Sequence, residues 1–174
     1  MAGTLSILLA SCKGESIEIS QHNLDRSLVT LTQNGIVISE NDFLRFSFTT
    51  PKPLIDIAPV KSLFQVRATI NKDGKIIFDD SASGVFLTAD AESHHTDSHV
   101  SYSAYIFQSF SVSSNNVMKQ VSLVGLDYDT LSLVVVYPEM GVGIKHSSRR
   151  IMYSRKQVND VISKKPTKVT LVVP

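Results

Sequence analysis

Leu28-Val-Thr-Leu-Thr-Gln-Asn-Gly-Ile-Val-Ile-Ser39 sets two short apolar runs on either side of Asn34 and Gly35. An Asn-Gly pair tolerates the positive φ that a two-residue type I′ turn demands, so the stretch reads as a β-hairpin. The same arrangement recurs where Val66–Ile70 and Lys75–Phe78 are joined through Asp73 and Gly74. Between the two hairpins, Phe43-Leu-Arg-Phe-Ser-Phe48 sets Arg45 and Ser47 against Phe46 and Phe48. Successive side chains of a strand point to opposite faces, so one face is expected to be buried and the other wet.

Working outward, apolar runs continue at Leu5–Ala10, Ile17–Ile19, Leu63–Ile70, Val85–Leu87, Val100–Val112, Val121–Val124, Leu131–Tyr137 and Val169–Val173. A strand-length run roughly every ten residues predicts a mainly β fold, a compact antiparallel β-sandwich or a curved β-sheet. One short C-terminal helix is predicted over Ser154–Ser163, where Ser154 caps the first turn and Val158, Val161 and Ile162 form an apolar stripe. Lys164, Lys165 and Pro166 then supply favourable charge and a stop. A second helical turn is predicted from Ser113 or Ser114 through Val117 to Gln120. Pro51 and Pro53 interrupt the chain, but no stretch has linker composition. Residues 1–174 therefore read as a single β-rich domain with a basic C-terminal segment, 145–174.

Of the 174 residues, 43% are hydrophobic and 19% charged, enough apolar material for a real core and too little charge for a disordered chain. The single Cys12 makes no internal disulfide and no zinc–thiolate cluster. No stretch approaches the ~20 apolar residues of a membrane-spanning helix. Leu9-Ala-Ser-Cys12 resembles a lipoprotein cleavage box, but no Lys or Arg precedes Lys13 and the apolar run is short, so it reads as a strand with a packed thiol.

Motifs for catalysis are weak. No Gly-x-Ser-x-Gly elbow occurs, and Gly141-Val-Gly143 lacks the third glycine and the Lys-Ser/Thr of a phosphate loop. Asp79 with Asp80, and Asp127 with Asp129, sit at strand ends, where carboxylates commonly serve turns. The densest polar cluster, His94–His99, reads as a solvated loop without a metal. The sharper alternative is metal ligation by His95, Asp97 and His99, which share one face of an extended segment. The expectation is a non-enzymatic protein without a cofactor.

Charge is the stronger signal. Net charge is only +1, yet Lys145, Arg149, Arg150, Arg155, Lys156, Lys164, Lys165 and Lys168 face Asp160 alone over residues 145–174. The preceding 144 residues hold nine basic and fifteen acidic side chains. Such a split predicts that the eight cations seek a polyanion, or the acidic surface of a neighbouring copy. The partners that such a split predicts are a homo-oligomer or lattice, a polyanion such as nucleoprotein–RNA, and an anionic membrane surface.

Two resemblances sharpen this. Leu63-Phe-Gln-Val-Arg-Ala-Thr-Ile70 and Gly125-Leu-Asp-Tyr-Asp-Thr-Leu-Ser-Leu-Val-Val-Val-Tyr137 resemble an early and a later strand of plant rhabdovirus matrix proteins. That resemblance implies a viral structural protein of virion and host cytoplasm that self-associates, condenses the nucleocapsid and bridges it to the envelope. The chain departs from animal-virus members in lacking a Lys-rich start and a Pro-Pro-x-Tyr motif. Gly84-Val-Phe-Leu-Thr-Ala-Asp90, with Phe110–Met118 and Leu131–Tyr137, is similar to the thirty-kilodalton superfamily of plant-virus movement proteins. By that match Asp90 is the signature acid, with Glu92 where an Arg usually follows, and the implied function is cell-to-cell movement with single-stranded nucleic acid binding.

Overall fold

The computed structural model describes residues 16–57, 64–80, 87–89, 99–114, 117–139 and 143–172. Two sheets pack face to face. The first contains β1 (Ser16–Ile17), β4 (Gln65–Lys72), β5 (Lys75–Asp80), β10 (Thr130–Glu139), β11 (Gly143–Ser148) and β12 (Ile151–Ser154), in the order β1-β11-β10-β4-β5, with β12 also on β10. The second runs β13-β2-β3-β7-β6, from β2 (Gln21–Gln33), β3 (Ile36–Thr50), β6 (Leu87–Ala89), β7 (Val100–Phe107) and β13 (Thr167–Val172). The sandwich expected from the sequence is thus present. Its pairs are antiparallel except for two at the sheet edges, β1 on β11 and β13 on β2.

Both glycine hairpins form. Asn34 and Gly35 take φ of 52° and 77°, and Asp73 and Gly74 take 49° and 73°, the consecutive positive values that a type I′ turn requires. The first hairpin is longer than its apolar runs suggest, because Ile36–Ile38 and Phe43–Phe48 belong to one fifteen-residue strand, β3.

Period-two alternation then builds the core. Leu44, Phe46 and Phe48 of β3, with Leu24, Tyr102, Ala104 and Ile106, meet Val66, Ala68 and Ile70 of β4 and Leu131, Leu133 and Val135 of β10. Three of these contacts are in direct register, Leu131 with Ile70, Leu133 with Ala68 and Val135 with Val66. The opposite face of β3 is not simply wet. Phe43 shares parity with Arg45 and Ser47, and it packs with Val29 and Tyr105 in a second buried cluster against which Val169 and Leu171 rest. Arg45 is held on that same face by Asp25 at 2.8 Å.

Helix α2 (Arg155–Ile162) follows the sequence reading closely. Ser154 accepts from the Gln157 N–H and the Gln157 side chain accepts from the Ser154 N–H, a capping box. Val158 is fully buried and Val161 and Ile162 lean on the core. The second predicted helical turn is overturned. Ser109–Ser114 and Val117–Ser122 are strands β8 and β9, a hairpin pairing Ser114 with Val117; the period-two spacing of Phe110 and Val112 marks β8 as a strand, and β9 is held extended by pairing with it. After Pro53 the chain makes one helical turn, α1 (Leu54–Ile57), whose first N–H donates to the Tyr102 hydroxyl at 2.8 Å. Among the described residues no helix is long and apolar enough to cross a membrane. The Leu5–Ala10 run and Cys12 lie outside the described residues.

Candidate functional site

The Arg149-Arg150 pair owes its position to a miscount between two strands. β11 meets β10 with Ser147 opposite Val136, and β12 meets it again with Ile151 opposite Leu133. Three residues, Ser148 to Arg150, therefore face only Val134 and Val135, a bulge in the edge of the sheet. The Ser148 hydroxyl accepts the Val135 N–H at 3.0 Å and donates to the Arg149 carbonyl at 2.9 Å, standing in for the lost ladder bond. With the backbone satisfied by a side chain, both arginines turn outward and are exposed.

β1 stops beside this bulge, with Ile17 in register with Ser148. The gap between them is an open cleft of about 630 Å³ lined by Ile17, Glu18, His22, Arg149, Arg150 and Met152, among others. His22 Nδ1 lies 2.9 Å from the Tyr153 hydroxyl, with the rings edge to face. Burial pushes the Tyr153 phenol up to about 12. Among the described residues that line it, Glu18 is the one carboxylate, and it forms no ion pair with Arg149 or Arg150. Met152 adds an exposed, polarizable side chain.

The eight predicted cations do not all share this environment. Arg155 is 3.1 Å from Asp127 and lies over the Tyr128 ring, and Lys156 is 2.7 Å from Asp160 one turn along α2. Asp127 also binds Lys72, and that hydrogen bond holds its carboxyl below the ordinary carboxylate range. Lys164 and Lys165 follow the end of α2, and Lys168 is exposed on β13. Among the described residues, Arg149, Arg150, Lys164, Lys165 and Lys168 have no ion-pair partner. They fall into two groups, one at the bulge and one after the helix, separated along the chain by β12 and α2. Lys145 lies on β11, and its side chain is outside the described part of the structure.

Other candidates fare differently. Asp79 pairs with Arg67, whose hydrogen bond lowers the carboxyl pKa, and Asp129 accepts the Asp73 N–H at 2.7 Å, so both acidic pairs contribute to structural contacts. His95, Asp97 and Asp90 lie outside the described residues. His99 is exposed immediately before β7, and no metal-ligating group of three occurs among the described residues. The segments 63–70 and 125–137 contain β4 and β10, which are neighbours in the first sheet.

Sequence reasoning missed the bulge and the cleft. β11 shows no apolar alternation, because its inward positions include His146 and Ser148, both buried and polar, and in β12 the exposed Met152 hides the alternation of Ile151 and Tyr153. Comparison with protein-family models, with curated proteins and with solved structures finds no match.

Proposed function

We propose that this chain is a non-enzymatic, matrix-like viral structural protein that self-associates and condenses a nucleoprotein–RNA core. The observation that carries the reading is the exposed Arg149-Arg150 pair, raised on a bulge beside an open cleft with no ion-pair partner among the described residues. An arginine left without an internal carboxylate is available to phosphate, where its planar donors bind two oxygens at once. Each phosphate neutralised releases condensed counterions, which makes such binding favourable and salt-dependent without any reading of sequence. Lys164, Lys165 and Lys168 add a second group without ion-pair partners among the described residues, so one copy has two places to touch a polyanion. The resemblance of the β4 and β10 segments to matrix strands supports the same conclusion. Virion and host cytoplasm are the corresponding locations, and an anionic membrane surface is a further partner on the same electrostatic grounds.

Electron microscopy of the purified protein at low salt, with and without single-stranded RNA, tests this. The expected result is ordered sheets or tubes without RNA, together with co-sedimentation with nucleocapsid. Filaments that form only on RNA would replace the reading with the movement-protein one. Monomers under both conditions would contradict both.

A further inference from the structure

Each sheet of the sandwich ends in a six-residue strand with one side unpaired among the described residues. β5 pairs only with β4, and β13 pairs only with β2. An open edge presents a row of free N–H and C=O groups and is a template for another strand.

The two edges carry opposite patterns along their length. β13, Thr167-Lys-Val-Thr-Leu-Val172, has its cation at the start, just after Lys164 and Lys165, and ends on Val172, which is 76% exposed. β5, Lys75-Ile-Ile-Phe-Asp-Asp80, starts with a cation and with Ile76 and Ile77, 53% and 45% exposed, and ends on two acids. Asp79 already holds Arg67, and Asp80 adds a second acid to that end of the sequence, its side chain lying outside the described part of the structure.

We infer that β13 of one copy pairs antiparallel with β5 of the next copy. This inference rests on the self-association part of the proposed function and names the surfaces that carry it. In the antiparallel sense Lys168 lies beside the Asp79-Asp80 end, and Val172 lies beside Ile76 and Ile77. In the parallel sense Lys168 would meet Lys75, and Val172 would meet the acids. Antiparallel self-pairing of β13 would set Lys168 against Val172 and leave its cations unmatched. Self-pairing of β5 would match its own charges but leave β13 open. Only the mixed pairing satisfies both edges.

Because the two edges differ, each copy offers one of each and the contact is heterologous, so it does not end at a two-fold dimer. Repetition gives a row of sandwiches, open or closed into a ring according to the rotation from one copy to the next. The β13 edge also borders the second apolar cluster, through Val169 and Leu171, so the added strand extends that half-covered face.

Charge exchange on the full chain tests the pairing, with sedimentation velocity at low salt as readout and circular dichroism confirming that each variant is folded. Lys168→Glu and Asp80→Lys should each shift the assembled protein towards monomer. An equimolar mixture of the two singles should reassemble, because every junction then has an opposite pair. If Asp80→Lys does not fold, Ile76→Lys takes its place as the variant expected to prevent assembly. Several results would overturn the inference: a monomeric wild-type protein, singles that assemble normally, an effect confined to one edge, or a mixture that stays dissociated. RNA binding by Arg149→Ala/Arg150→Ala, which leaves both edges intact, is measured separately. Loss of polyanion binding by the wild type would defeat the functional reading without touching the edge pairing.

Discussion

Arg26, on β2, closes the C-terminal end of helix α2 from 136 residues away: its Nη1 donates to the Ile162 carbonyl at 2.6 Å and to that of Lys164 at 3.1 Å. Asp42 of β3 holds the same guanidinium in place, and Gln108 donates to Asp42 at 2.6 Å. The helix end is therefore fastened to the second sheet by a charged side chain, although Lys164 and Lys165 were expected to supply that charge.

Arg26→Ala should cost about 2–3 kcal/mol, because it removes charge-assisted hydrogen bonds and strands a partly buried carboxylate. Chemical denaturation measures the loss. Hydrogen exchange should show α2 opening before the strands of the core, and equal opening of both would contradict the fastening role.

Tyr153 predicts an alkaline limit. Burial raises its phenol to about 12, above the value near 10 of an unfolded chain, so the neutral phenol is favoured by folding. Its contribution is complete below pH 10 and is lost as pH rises towards 12. Tyr102 and Tyr128 are shifted upward by the same cause. Tyr153→Phe should lower stability at neutral pH by about 1 kcal/mol, through the lost contact with His22. It should also flatten the fall in stability between pH 10 and 12, which denaturation midpoints across that range would show.

Ser148 holds the bulge. Replacing it with Ala leaves the buried Val135 N–H without its partner, at an expected cost of about 1–2 kcal/mol. RNA affinity should fall as well, although Ser148 carries no charge, because Arg149 and Arg150 lose their fixed setting. Fluorescence anisotropy with labelled RNA checks this, and unchanged affinity would mean that the bulge does not position the arginines.

How much of this was legible in the sequence depended on the range of the interaction. Asn34-Gly35 and Asp73-Gly74 mark their turns by local backbone requirements, and Ser154 with Gln157 marks a helix start within one turn, so these were readable. Phe43 misled because its neighbours Arg45 and Ser47 are polar. Its cover comes from Val29 and Tyr105 on adjacent strands, a contact that no local pattern encodes. The bulge was hidden for a related reason. His146 and Ser148 occupy inward positions and erase the apolar alternation of β11, and the extra residue shows only against the register of β10. The eight cations were visible, but Asp127, which neutralises Arg155, approaches from a distant part of the chain.

The central claim is that Arg149 and Arg150 are held ready for a polyphosphate, and the salt dependence of RNA binding tests it most directly. Affinity for single-stranded polyuridylate, plotted as log K against log salt, should give a slope that becomes shallower by about 1.4 in Arg149→Ala/Arg150→Ala, at about 0.7 per phosphate released. Stability and secondary structure should stay as in the wild type, since both side chains are exposed. An unchanged slope and affinity in the folded double variant would contradict the account.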